Sequence, residues 1–425
     1  MKVLIITYYW PPAGGSGVQR WLKFAKYLRE FDIEPVIYTV DNANYAIEDE
    51  KLQEEIPKGI EVIRKDIFEP NKLISFLGNK KKKTSAGFLK PNPGLLGKIA
   101  QYVRANYFIP DARKFWIKPS VKYLKNYLKQ HPVDLIITTG PPHSLHLIGL
   151  QLKQKLGVKW ISDFRDPWTE IDYFHHLPLT KRSLNKHRDF ETEVLKKSDS
   201  VIVVGNEMKR SFQKQSNKVE VITNGYDDEV SSITNQLDNS FSITHIGMMN
   251  ADRNPKVFWE AIEELCVENE ELKSDLRIRL IGEVSDEVKK NASQLGDIVE
   301  LVKYVPHEEV KKYQCSTQVL LLCINNVPSA KGIITGKIFE YLQAKRPILA
   351  IGPEEGDAAD ILKKTQSGKI FGFSNKHDLK DHIAKLYKEY KKGELTVNSS
   401  NITQYHRREL TAQLANVIRK TVEEH

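Results

Sequence analysis

Short apolar runs alternate with stretches of helical spacing along most of this chain. Residues 3–8, 33–40, 60–64, 134–139, 158–162 and 200–204 predict strands in the first half. Residues 241–246, 276–282, 299–305, 318–324 and 348–351 predict strands in the second. Several of these runs are apolar throughout, the pattern of strands covered on both faces. Helical spacing follows most of them. Trp21, Phe24, Ala25 and Leu28 share one side of a helix, and so do Ile338, Phe339, Leu342 and Ala344. Residues 144–156, 181–197, 285–294 and 307–315 predict further helices. Alternating strand and helix points to the α/β class and doubly wound parallel sheets.

Two stretches break the rhythm. Residues 228–240 are polar and poor in apolar side chains, so they predict a linker. Residues 71–131 carry basic and aromatic positions in place of strand and helix alternation. Within them Ile99, Tyr102, Val103, Tyr107 and Phe108 have amphipathic spacing, and Trp116, Val121, Leu124 and Leu128 predict a second helix. The end of the chain, 401–423, has helical spacing at Leu410, Leu414, Val417 and Ile418. No internal repeat is evident. A length of 425 residues predicts two or three domains.

Charge changes this picture in one place. The chain carries a formal +9, yet residues 71–130 alone hold fourteen Lys and Arg against one acid, Asp111, so the remainder is net acidic. A local basic block with interleaved aromatics suits an anionic membrane surface or acceptor, or is a solvated basic loop. It lacks a nucleic-acid recognition motif, so no nucleic-acid partner is expected. Three cysteines, Cys266, Cys315 and Cys323, show no metal spacing and fit a reducing compartment. The apolar start, Val3 to Trp10, leads into Pro-Pro and a glycine loop, which fits a strand and ligand loop better than a signal peptide. No run approaches the roughly 20 apolar residues of a membrane span. The expectation is a cytoplasmic protein, peripheral on the inner face of the membrane through its basic segment.

Candidate chemistry gathers in loops. Ala330-Lys331-Gly332-Ile333-Ile334-Thr335-Gly336 precedes a helix that begins at Lys337. Free N–H groups at a helix start favour phosphate. Thr335 adds a hydroxyl, Lys337 a cation, and Glu340 a carboxylate suited to the two hydroxyls of a ribose. The competing reading is an ordinary capped helix with a charged face. After the first strand come Gly15, Ser16 and Gly17, but position 20 is Arg where a dinucleotide fingerprint needs its third Gly, which disfavours an oxidoreductase. Gly140-Pro141-Pro142-His143 and Asp163-Phe164-Arg165-Asp166 both follow strand C-termini, where open α/β sheets bind ligands. Asp163, Arg165 and Asp166 can orient an acceptor hydroxyl, hold phosphate, or form an ion-pair network. Gly247-Met248 and Arg253 follow the strand 241–246, and Arg suits phosphate through its fork. Asp-x-Asp occurs nowhere, and no metal site is expected.

The segment Gly336-Lys337-Ile338-Phe339-Glu340-Tyr341-Leu342, together with Gly14-Gly15, Gln19-Arg20, Asn224-Gly225-Tyr226-Asp227 and Gly247-x5-Arg253, resembles the GT4-type glycosyltransferases. The resemblance implies the GT-B fold: two Rossmann-like domains facing across a cleft, with residues 1–225 for the acceptor, 226–400 for the sugar nucleotide, and a terminal helix, 401–425, crossing back. It implies His143 at the donor sugar, with Arg253 and Lys337 on the leaving diphosphate. Gly247, Met248, Tyr304, Val305, Thr335, Gly336, Ile338 and Glu340 would contact the donor nucleotide. Gly15, Ser16 and Gly17, with Asp163, Arg165 and Asp166, would form the acceptor and phosphate loops. The implied activity is retaining, metal-independent transfer of a hexose-type sugar, with no resident cofactor and UDP-sugar favoured, to a glycan or lipid-linked acceptor of surface polysaccharide. The family's Glu-x7-Glu pair is incomplete, since Glu340 matches the second Glu and Gly332 replaces the first. A sugar-nucleotide epimerase or hydrolase of the same fold, or a non-catalytic binding protein, stays open.

Overall fold

The computed structural model describes residues 1–69, 94–171, 174, 177–227, 236–303 and 305–424. The chain forms two compact units, one of residues 1–224 and 407–425, the other of residues 225–406.

The first unit is built on seven parallel strands: β1 (Lys2–Ile6), β2 (Glu34–Val40), β3 (Glu61–Lys65), β4 (Leu135–Gly140), β5 (Lys159–Phe164), β6 (Ser200–Val203) and β7 (Val219–Val221). Their order is β3-β2-β1-β4-β5-β6-β7. Ile5 sits in register with Ile37 on one side and Ile137 on the other. Helices cover both faces, which explains strands with almost no polar position. The chain winds outward through β2 and β3, then returns to place β4 on the other side of β1. That reversal leaves the loops after β1 and β4 on either side of a switch point, the usual ligand position in such sheets.

The second unit repeats the scheme with β8 (Phe241–Ile246), β9 (Leu276–Ile281), β10 (Val299–Val302), β11 (Val319–Cys323), β12 (Ile348–Ile351) and β13 (Gly368–Phe371), ordered β10-β9-β8-β11-β12-β13. Its switch point lies between β8 and β11, so the loops 247–255 and 324–336 flank it.

Several boundaries moved. The first strand ends at Ile6, where Thr7 turns its hydroxyl to the Tyr9 carbonyl at 3.0 Å and the chain leaves the ladder for a loop. The terminal helix spans Arg407–Glu423, preceded by a 3-10 turn at Ile402–Tyr405 that belongs to the second unit. It packs on the helix Ser16–Leu28, with Leu410, Leu414, Ala415 and Ile418 in the core of the first unit. The end of the expected linker is bound: Asp238 pairs with Arg279 at 2.5 Å, and its carbonyl accepts from Gln318 Nε2 at 2.7 Å. Residues 228–235 of that linker lie outside the described residues, as do residues 71–93 of the basic segment. Its described part forms the helices Leu95–Tyr107 and Lys114–Gln130. Among the described residues no helix is long and apolar enough to cross a membrane.

Candidate functional site: a cationic cradle

In the second unit the polar candidates converge at the β8/β11 switch point. The last N–H of β8, from Ile246, donates to Tyr341 Oη at 3.1 Å, so the helix Lys337–Ala344 fastens the end of the strand. Gly247 then takes φ of +109°, and a Cβ there would stand 2.4 Å from Lys337 Cε. The backbone angle requires glycine, and its bare Cα lets the lysine stem lie across it. Arg253 closes the loop. Its Nε donates to Asn325 Oδ1 and its Nη1 to the Met248 carbonyl, both at 2.9 Å. The Asn250 side chain accepts from the Arg253 N–H at 3.1 Å.

Neither Arg253 nor Lys337 has a carboxylate within ion-pair distance among the described residues. Burial, then the neighbouring Arg253 charge, lowers the Lys337 pKa to about 8. Burial also lowers that of Arg253. Glu340 acts on Lys337 only from beyond ion-pair distance, so two partly desolvated cations without a direct anionic partner form a site poised for one. Thr335 Oγ1 is buried beside them without a hydrogen-bond partner. No side chain caps the helix that starts after Gly336. In its first turn Glu340 accepts from Gln314 Nε2 at 3.0 Å.

One candidate does not fit its assigned role. The Ile338 side chain is wholly buried in an apolar cluster, and its N–H is spent on the Thr335 carbonyl at 3.1 Å. It anchors the helix and has no free group for a ligand. Met248 offers its carbonyl to Arg253, and Val305 is half-buried. Tyr304 lies outside the described residues. His245, absent from the candidates, lies beneath the cations. Its Nδ1 meets the Leu321 carbonyl at 3.0 Å, and burial, then Lys337, pushes its pKa well down.

In the first unit the loops at the β1/β4 switch point are held by a buried ion pair. Asp163 accepts from Arg20 Nη2 at 2.8 Å, Trp21 Nε1 at 2.9 Å and Thr139 Oγ1 at 2.8 Å. Arg20 also donates to the carbonyls of Thr223 at 2.9 Å and Ile222 at 2.8 Å. Both side chains are closed to solvent. Burial raises the Asp163 pKa, but the charge and hydrogen bonds of Arg20 outweigh it and leave a net lowering. Of the three readings open for Asp163, the ion-pair network is the one realised. It holds the frame of the unit, and its carboxylate is closed to a ligand. The sequence signal was present in Arg20, which occupies the place of a fingerprint glycine.

Arg165 ties two loops together, donating through Nη1 to the Gly17 carbonyl at 3.1 Å and through Nη2 to that of Pro141. Gly15, at φ of +85°, precedes the helix that begins at Ser16. Asp166 is exposed. His143 is 7% exposed and stacks on Trp168, with ring centroids 4.8 Å apart and planes within 4°. Burial, then His146 and Arg165, holds its pKa well below the usual value, so its ring is neutral. Asp111 accepts from Ser144 N at 2.9 Å and Ser144 Oγ at 2.6 Å, fixing the helix start beside His143. The sequence showed Asp111 only as the lone acid of the basic segment.

Comparisons place this arrangement. The family model for Glycosyltransferase Family 4 matches residues 87–230, and that for Glycosyl transferases group 1 matches residues 240–389. Comparison with curated proteins by sequence found no match. Among solved structures, sucrose-phosphate synthase from Thermosynechococcus elongatus aligns with a TM-score of 0.60 at 14% identity, covering 99% of this chain and 98% of that one. HepE of Anabaena, solved with UDP-glucose, aligns with a TM-score of 0.57 at 13% identity, covering 100% and 98%. A variant of TarM from S. aureus, solved with UDP among its ligands, aligns with a TM-score of 0.56 at 13% identity, covering 98% and 99%. The fold is GT-B, with two Rossmann-like units, and the protein is a glycosyltransferase. The chain belongs to the GT4-type, group 1 glycosyltransferases.

Proposed function

We propose that the protein transfers a hexose-type sugar, with retention and without a metal or resident cofactor, from a nucleoside-diphosphate sugar to a glycan or lipid-linked acceptor. UDP-sugar is the favoured donor, and surface polysaccharide assembly at the cytoplasmic face of the membrane is the setting. The observation that carries this reading is the pair Arg253 and Lys337, both desolvated beside the Gly247 and Met248 backbone, with no carboxylate within ion-pair distance among the described residues. A leaving diphosphate supplies the missing anion, and its charge grows as the bond to the sugar breaks, so the pair stabilises the transition state more than the ground state. The acceptor oxygen bonds to the anomeric carbon as the carbon–phosphate oxygen bond breaks, and the acceptor proton passes to the departing phosphate. Glu340 holds the ribose hydroxyls. Thr335 binds phosphate through its unpartnered hydroxyl. His143, neutral and braced on Trp168, serves as a hydrogen-bonding contact to the sugar. Gly15, Ser16 and Gly17 lie by the acceptor, with Arg165 shaping their loop. The helix Leu95–Tyr107 supports membrane contact: Ile99, Tyr102, Val103 and Tyr107 share one face, all are exposed, and the helix has no acid.

The test is a thermal-shift series with UDP, GDP, ADP, CMP and NAD on wild type and Glu340→Ala, followed by UDP release from UDP-sugars. Stabilisation by one nucleoside diphosphate, lost in the variant, with UDP release that requires an acceptor, is the expected result. Release without an acceptor would point to an epimerase or hydrolase. Stabilisation by NAD alone, or by nothing, would sink the donor site.

A further inference from the structure

We propose that Gln314 is a positioning residue for the ribose carboxylate: its amide aims Glu340 at the two sugar hydroxyls. The inference rests on the donor-site reading above. Gln314 lies on the helix His307–Ser316, which packs against the helix Lys337–Ala344. It is 5% exposed, and its Nε2 reaches Glu340 Oε2 at 3.0 Å. Lys337 acts on Glu340 only from beyond ion-pair distance, and no cation bonds the carboxylate among the described residues, so this amide is the group that holds it.

The chemistry of that partner matters. A carboxylate on a short surface helix samples several rotamers, and ordering it on ligand binding costs affinity. One hydrogen bond from a buried, fixed donor removes that freedom beforehand. A lysine or arginine would do so too, but would compete with the sugar hydroxyls for the carboxylate charge. A neutral amide fixes the group and leaves its charge for the ligand. It occupies one acceptor site of the roughly four that a carboxylate offers, leaving Oε1 for a pair of neighbouring hydroxyls. Gln314 touches no nucleotide itself and acts through Glu340.

The experiment measures affinity for UDP and for 2′,3′-dideoxy-UDP by calorimetry in wild type, Glu340→Ala, Gln314→Leu and Gln314→Glu, with thermal melting to confirm folding. Wild type should prefer UDP, and Glu340→Ala should erase the preference. Gln314→Leu should weaken UDP on the order of tenfold and leave the dideoxy analogue nearly unchanged. Gln314→Glu sets two carboxylates against each other. Its UDP preference should appear only at low pH, where they share a proton, and vanish as both ionise. If Gln314→Leu weakens both ligands equally, or neither, and Gln314→Glu gains no pH dependence, the positioning role is overturned while the ribose reading stands. If wild type shows no preference for UDP, or Glu340→Ala keeps it, the ribose reading fails and the inference fails with it.

Discussion

Lys337 lies across Gly247, so closely that a single methyl at 247 would stand 2.4 Å from its Cε. Ninety positions apart in the chain, the two residues form one surface, because β8 and β11 are neighbours and each sends its following loop to the same end of the sheet. The glycine lends a backbone without a side chain, and the lysine supplies a charge above it.

Gly247→Ala tests that contact directly. The substitution places a Cβ at φ of +109° and forces the lysine stem aside. Strain of about 1–3 kcal/mol is expected. The melting temperature should fall and UDP affinity should drop with it. Unchanged affinity would mean that Lys337 binds no phosphate.

Removing a cation should damage turnover more than folding. Lys337→Met or Arg253→Met should lower kcat by about 10²- to 10³-fold, the usual effect of losing one preorganised donor to a developing anion. Arg253→Lys should recover little, since a compact ammonium lacks the planar fork that sets Nε on Asn325 and Nη1 on the Met248 carbonyl. Steady-state kinetics with a UDP-sugar and a responsive acceptor would decide it.

Donor affinity should follow the Lys337 proton. Burial, then Arg253, sets its pKa at about 8. The charged form binds diphosphate, so affinity is full below about 8 and falls as pH rises through that value. In the ligand-free protein the stability effect of this group runs the other way. Between about 8 and the ordinary lysine value the unfolded chain binds more protons than the folded one, so the penalty from Lys337 fades as pH rises across that window. Calorimetric titration of UDP across the range should show the decline in wild type and its loss in Lys337→Met.

The Arg20–Asp163 pair should govern the stability of the first unit. Both side chains are closed to solvent, so Asp163→Asn or Arg20→Met leaves a buried polar group without its partner, at a cost of about 3–5 kcal/mol. The double variant should cost less than the sum of the singles. Because the folded-state pKa of Asp163 is depressed, its contribution is present above the ordinary carboxylate pKa and lost as pH falls through the folded value. Urea unfolding at several pH values would check both effects.

Contact with an anionic bilayer should depend on the exposed face of the helix Leu95–Tyr107. Tyr107, 65% exposed, and Ile99 stand on that face with Lys98 and Arg104 on the same helix. Ile99→Asp with Tyr107→Asp should weaken binding to vesicles containing acidic lipid and leave melting unchanged. Each nearby cation contributes about 1 kcal/mol at such a surface, so Lys98→Ala should weaken binding by less and its effect should shrink with salt. Sedimentation with vesicles reads both.

The strands, the two-sheet α/β architecture and the loops that bring Gly247, Arg253 and Lys337 together were legible in the chain. Apolar runs such as Ile348–Ile351 and spacings such as Ile338, Phe339 and Leu342 are local properties, and local sterics and burial dictate what they become. Gly247, Thr335, Lys337 and Glu340 could be singled out because they follow strands and match the family motif, although their local pattern also fits an ordinary capped helix. What the chain alone could not decide is which polar groups are spent on holding the frame. Asp163 looked like a ligand residue until β5 set it against Arg20, 143 positions away. Ile338 looked like a contact until its helix turned it into the core. Gln314 carried no signal at all, because its meaning depends on a partner 26 positions on. Hydrogen bonds and ion pairs act over a few ångströms of space, whereas sequence records only distance along the chain. Sheet order and helix packing convert the one into the other.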